Sequence, residues 1–144
     1  MWVNLGLGSL LIAATVLIQT AGLLAISHFM PRIIKRLKLH RHTLGRTLAL
    51  IKTVFGLFLV HTLEVWLWAG AYVYLGAISN LEDALSFSTG TFSTVGAPQP
   101  IIDPHWHLLA SLEGVDGFVL IGWSIAYLVG ASTRYGPFPA SETY

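Results

Sequence analysis

Residues 79–100 read Ser79-Asn80-Leu81-Glu82-Asp83-Ala84-Leu85-Ser86-Phe87-Ser88-Thr89-Gly90-Thr91-Phe92-Ser93-Thr94-Val95-Gly96-Ala97-Pro98-Gln99-Pro100. Ser79 followed by Glu82 matches a capping box, with Asn80 as a rival cap, so a helix is expected to begin near Leu81. The body Glu82 to Phe92 is too short to cross a bilayer, which takes about 20 residues of helix. The stretch from Ser93 to Pro100 is rich in breakers and β-branched residues, and it ends the helix. Two readings remain open for such a segment. It is an extracellular loop bearing a surface helix, or a re-entrant hairpin that dips into the membrane between two spans. Irregular backbone is tolerated at that depth only where protein buries it or water reaches it.

The flanks favour the second reading. Apolar runs extend from Val3 to Met30, from about Leu48 to Ile78 and from about His107 to Ser132. The first holds nothing more polar than Asn4, Gln19 and His28. It is not a cleaved leader, because no Lys or Arg precedes it and it is too long. All three are expected to be helices, since only a helix satisfies its own backbone inside lipid. The composition agrees: 54% of residues are hydrophobic and 10% charged, against about a quarter charged in a soluble domain. Mean hydropathy is +0.68. The 144 residues contain no cysteine, which excludes a disulfide framework, thiol catalysis and cysteine zinc sites.

Charge sets an orientation. Arg32, Lys35, Arg36, Lys38, Arg41, Arg46 and Lys52 lie in or beside the first connection, and Arg134 follows the third run; these are all eight basic residues. The positive-inside rule then puts residues 31–47 and the tail 133–144 in the cytoplasm and the N-terminus outside, in a multi-pass protein of the inner (plasma) membrane. A lipid-binding amphipathic segment or a nucleic-acid patch would also use such residues, but a net charge of +1 gives nucleic-acid binding no support. Membrane lipids are the expected surroundings. Trp66, Trp68, Tyr72 and Tyr74, with Trp106, are expected at the headgroup level, where amphipathic rings are favoured.

Several motifs bear on chemistry. A short helix ending at membrane depth presents a partially negative C-terminus that favours a cation. An extended Thr-Val-Gly run turns successive carbonyls to one side, where they replace an ion's hydration shell. His61 and Glu64 in the second run, and Glu113 and Asp116 in the third, are each spaced i, i+3 and share a helix face. Such residues face a partner or a wet cavity. Three readings compete: His61 and Glu64 pairing with each other or with Glu113, Asp116 lining a cavity, and a proton relay or metal site, for which no tight ligand motif exists. Gly114, Gly117 and Gly122 suit close helix packing. His105 and His107 beside Asp103 are solvated or tune behaviour with pH.

Thr94-Val95-Gly96, behind a Ser/Thr-rich short helix and ahead of Trp106, resembles the pore loop of tetrameric potassium channels. In that family a pore helix leads into Thr-Val-Gly-Tyr-Gly-Asp, and a Trp opens the inner helix. Ala84-Leu85, Ser88, Thr91 and Trp106 fall at the family's spacing, and Asp116-Gly117-Phe118 with Ile121-Gly122 resembles inward-rectifier inner helices. The resemblance covers roughly residues 61 to 131. It implies an all-α membrane protein of three transmembrane helices plus a re-entrant pore helix and filter loop. Residues 1–30 would be a peripheral helix and 48–132 the pore domain, with outer helix 48–78, pore helix and filter 81–100 and inner helix 106–132. A homotetramer is implied, since one hairpin cannot close a ring. The filter would be Thr94, Val95, Gly96 and Ala97, holding only the permeant potassium or sodium ions and no other metal or cofactor. Asp116 would line the cavity, Gly117 would be the gating hinge, and His61, Glu64 and Glu113 an intramembrane polar cluster. Ala97, Pro98 and Gln99 depart from the motif. Pro98 cannot take the positive φ of the family's glycine, so the outer filter sites are expected to be lost and potassium preference reduced. The alternatives are a potassium-selective channel and a non-conducting subunit with a degenerate filter. A membrane enzyme is the reading from another class, but Gly-x-Ser-x-Gly, His-Glu-x-x-His and phosphate-loop motifs are absent.

Overall fold

The computed structural model describes residues 1–36, 43–96 and 102–135. All regular structure among them is helical: α1 (Trp2–Arg36), α2 (Thr43–Tyr74), α3 (Leu81–Phe92) and α4 (His107–Tyr135), the last entered through a 3-10 turn at Pro104–Trp106. Among the described residues three stretches are long and apolar enough to cross a membrane: Trp2–Phe29, Thr47–Tyr74 and Pro104–Thr133, with mean hydropathies of 2.1, 1.7 and 1.5. The expectation of an all-α chain with three such helices is met.

Helix ends differ from the apolar runs for local reasons. α1 continues through Pro31 to Arg36, and α2 begins at Thr43. The basic connection expected over 31–47 is therefore helical at both ends, because Arg, Ile and Lys are ordinary helix formers. α2 stops at Tyr74 although apolar sequence continues to Ile78. Gly76 takes φ +68, its N–H donates to Val73 O, and the Ala77 N–H donates to Tyr72 O at 2.9 Å. That is a Schellman closure with glycine in the left-handed position. At α3 the rival cap wins: Asn80 accepts from the Asp83 N–H at 2.8 Å, and Ser79 does not serve. Glu82 and Asp83 occupy the first turn, where acids favour the helix dipole.

α1 and α4 run parallel and in register. Asn4 Nδ2 donates to His105 O (2.5 Å), Thr15 Oγ1 to Asp116 Oδ2 (2.7 Å) and Gln19 Nε2 to Leu120 O (3.2 Å). The offset between partners is 101 residues in every case, which only parallel helices of equal rise allow. α1, the helix expected to be peripheral, packs along α4 through a polar stripe. α2 runs antiparallel to both. The core gathers Trp68, Tyr72, Phe87, Phe92, Leu109 and Leu120 where α2, α3 and α4 meet.

A buried carboxyl seam beside a short helix

α3 lies between the spans rather than outside them. Ser88 on α3 donates to Val65 O of α2 (3.1 Å) or to Glu113 Oε1 of α4. Phe92, its last residue, lies 5.9 Å from the His61 ring, and its carbonyl faces Gly117. His61 and Gly117 each sit near the middle of their long apolar helices, so α3 ends level with the middle of α2 and α4.

The carboxyl groups occupy the seam this packing creates. On α2, His61, Glu64, Trp68 and Tyr72 follow i, i+3, i+7, i+11 and share one face. On α4, Glu113 and Asp116 face them. His61 Nδ1 is 2.7 Å from Glu64 Oε2, so the expected pairing within α2 is formed. Glu113 takes neither of them as a hydrogen-bond partner. Its oxygens accept from the Tyr72 hydroxyl (2.6 Å) and from Ser88. Asp116 Oδ2 accepts from Thr15 on α1 (2.7 Å) and from Trp68 Nε1 on α2 (3.1 Å). Glu64 and Glu113 are fully buried and Asp116 is 4% exposed. The second oxygen of Glu64 is buried without a hydrogen-bond partner, as are Asn4 Oδ1 and Gln19 Oε1. Orphaned acceptors of this kind are costly, and each marks a place where a donor would be welcome.

One expectation changes in this light. Trp68 and Tyr72 are not headgroup-level anchors: both are fully buried and serve the acids of α4, while Trp66 at 51% and Tyr74 at 90% exposure face outward. The helical period separates the two sets. Asp116 is turned into the junction of α1, α2 and α4, where its donors Thr15 and Trp68 lie.

Gly117 is a contact glycine. A Cβ there would stand 2.0 Å from Phe92 O and 2.7 Å from Phe92 C, whereas at Gly114 it would meet Thr91 O at 3.6 Å. Gly122 has nothing within 4 Å.

The Thr94-Val95-Gly96 run is not extended. Thr94 has φ +61 and Gly96 φ +105. The Thr94 N–H donates to Thr91 O and the Gly96 N–H to Gly90 O, both at 3.1 Å. The open carbonyls of α3's last turn take their donors from the nearest following N–H groups, so the run folds back on the helix. Left-handed backbone at a β-branched residue is strained. Thr94, Val95 and Gly96 are all exposed in the chain. Ala97, the fourth expected filter residue, lies outside the described residues together with Pro98 and Gln99.

Thr15, Trp68, Tyr72 and Ser88 take part in the seam but were not singled out as its members. For Trp68 and Tyr72 the signal was available, since they continue the His61–Glu64 face. Thr15 and Ser88 carry no such mark in isolation. Among the described residues no group of three or more His, Asp or Glu has the geometry to hold a metal ion. Neither family models, curated proteins nor solved structures yield a match to this chain.

Proposed function

We propose that the chain is one subunit of a homotetrameric cation channel of the plasma (inner) membrane, with α2, α3 and α4 forming the pore module. The observation that carries this reading is α3. It is a 12-residue helix, too short to span, wedged between two antiparallel spans and ending at mid-depth with Thr94-Val95-Gly96 directly after it. Four copies around an axis would bring those residues together, and helix C-termini pointing at a shared axis favour a cation there. Permeation is of monovalent cations, potassium and sodium, with reduced selectivity, because Ala97, Pro98 and Gln99 do not supply a full filter. In this reading the basic ends of α1 and α2 face the cytoplasm. Glu113 and Asp116 act as fasteners that set the position of α4 against α1, α2 and α3, and Gly117 is where α4 bears on the end of α3. The protein is not assigned a catalytic role or a nucleic-acid partner.

A second reading, a non-conducting subunit, draws on the closed turn at Thr94–Gly96. One measurement separates the two: the reversal potential of purified protein in planar bilayers with potassium on one side and sodium on the other. A current reversing near zero, with chloride shown not to carry it, supports the weakly selective channel. Reversal near the potassium equilibrium potential refutes the selectivity assignment. Absence of current from a verified tetramer favours the non-conducting subunit.

A further inference from the structure

Gln19 on α1 and Glu64 on α2 are both fully buried, and each holds an oxygen that no donor reaches. The packing of three helices brings the two residues together. Gly22 of α1 lies against Val60 of α2, and Ile26 lies against Gly56. The two helices are antiparallel, so one turn back from Gly22 and one turn on from Val60 set Gln19 opposite Glu64. α4 gives the same level. Gln19 bonds Leu120 O, while Trp68 bonds Asp116 and Tyr72 bonds Glu113. One more turn along that antiparallel pair puts Glu64 beside Leu120. The stripes that meet here are buried on every helix: Thr15 and Gln19 on α1, Val60 and Glu64 on α2, Leu120 and Ser124 on α4.

The bonds already made fix the role of each remaining atom. The Leu120 carbonyl only accepts, so it holds the Gln19 amide nitrogen toward α4 at 3.2 Å, with Ser124 Oγ 2.8 Å from the same nitrogen. Gln19 Oε1 is left as an acceptor without a donor. Glu64 Oε2 is 2.7 Å from His61 Nδ1, and Glu64 Oε1 has no partner. Two acceptors thus meet at one level, and neither serves the other.

Charge points the same way. The titratable groups around Glu64 are His61 on its own helix and, on α4, Asp116 with Glu113 a turn beyond. Among the described residues α1 and α3 bring none to this level. The donors to Asp116 and Glu113 are neutral: Thr15, Trp68, Tyr72 and Ser88. A carboxylate without a matching cation in apolar surroundings is costly, and such a group takes up a proton instead.

We infer that Glu64 and Gln19 form a proton-binding site, with the proton on Glu64 Oε1 shared with Gln19 Oε1 and Glu64 Oε2 accepting from a neutral His61. One proton gives both orphaned oxygens a partner and leaves Glu64 and His61 uncharged. The proton ties α1 to α2. Without it a carboxylate would stand against a carbonyl oxygen and push α1 away. The inference depends on neither conduction nor assembly, since α1 lies outside the pore module.

The test is infrared spectroscopy of the purified full chain in lipid at neutral pH, prepared in light and in heavy water. Wild type should show the carbonyl stretch of a protonated carboxyl group, moving to lower frequency in heavy water. Glu64→Gln should lose that component yet keep wild-type helicity and resistance to SDS, because its amide N–H takes the proton's place toward Gln19. Gln19→Leu should move the component to higher frequency, the hydroxyl having lost its acceptor. A band that survives undiminished in Glu64→Gln, or stays unmoved in Gln19→Leu, would overturn the assignment. Glu64 would then be charged, with its second bond coming from a reversed Gln19 amide or a water molecule. A large loss of SDS resistance in Glu64→Gln would also overturn it, as the mark of an ion pair with a charged His61.

Discussion

Replacing Gly117 by alanine should destabilise the protein although alanine is the better helix former. On an open helix face the exchange gains up to about 1 kcal/mol. At Gly117 the added Cβ would sit 2.0 Å from Phe92 O, where ordinary contact begins near 3.4 Å. The obstacle is backbone in the last turn of α3, which has no rotamer to escape into. Relief requires α3 and α4 to separate by at least 1.4 Å, loosening the cluster of Phe87, Phe92 and Leu109 and stretching the bond from Ser88 to Glu113. Overpacking of this kind costs typically 1–3 kcal/mol, and the lost contacts push the net value toward the top of that range. Gly114→Ala is the internal control: its Cβ would meet Thr91 O at 3.6 Å, an ordinary contact, so that variant should be neutral or slightly stabilised. The assay is reversible unfolding in mixed micelles of mild detergent and SDS, followed by circular dichroism. Equal stability of the two variants would refute the claim that α4 bears on the α3 backbone.

Other substitutions probe the remaining joints. Tyr72→Phe removes one donor to Glu113 and should cost about 1–2 kcal/mol, measured in the same micelles; no change would mean that the 2.6 Å bond carries nothing. Thr15→Val and Trp68→Phe each remove a donor from one oxygen of Asp116, so a double-mutant cycle should show coupling of at least about 0.5 kcal/mol, and strict additivity would contradict a shared acceptor. Gly76→Ala forces a Cβ into the left-handed position that closes α2 and should cost about 1 kcal/mol, read again from unfolding. Cysteines replacing Gly8 and Leu112, whose Cβ positions would lie 3.5 Å apart and so within disulfide reach, should crosslink under mild oxidation, while Gly8 paired with a cysteine at Ser124 should not. The reverse pattern would exclude a parallel α1 and α4.

Much of the fold was legible from local features. Long runs poor in charge, the eight clustered basic residues and the cap signals at Ser79–Glu82 are properties of neighbouring residues. Backbone hydrogen bonding, capping and transfer into lipid act over that same range. Hence the three long helices, and a short fourth starting at Leu81, follow from the chain alone. Even there the competition between Ser79 and Asn80, and the end of α2 at Gly76 rather than Ile78, turned on which backbone donors found an acceptor.

The carboxyl seam was legible only by half. His61 and Glu64 are one helical turn apart, so their pairing can be read directly. The partners of Glu113 and Asp116 lie 25 to 101 residues away in sequence, on three other helices. Nothing in a single helix says that Tyr72 and Trp68 turn inward while Trp66 and Tyr74 turn outward; the side on which α4 packs decides that. The same holds for α1, whose Asn4, Thr15 and Gln19 look like minor interruptions of an apolar run until a parallel neighbour gives each a bond. Gly117 reads as a hinge in sequence and as a bearing surface once Phe92 is set against it. Composition and local pattern determined that this chain forms membrane-length helices and a short one between them. Tertiary packing decided which side chains face one another, because inside lipid each buried polar group takes whichever donor or acceptor the neighbouring helix brings within reach.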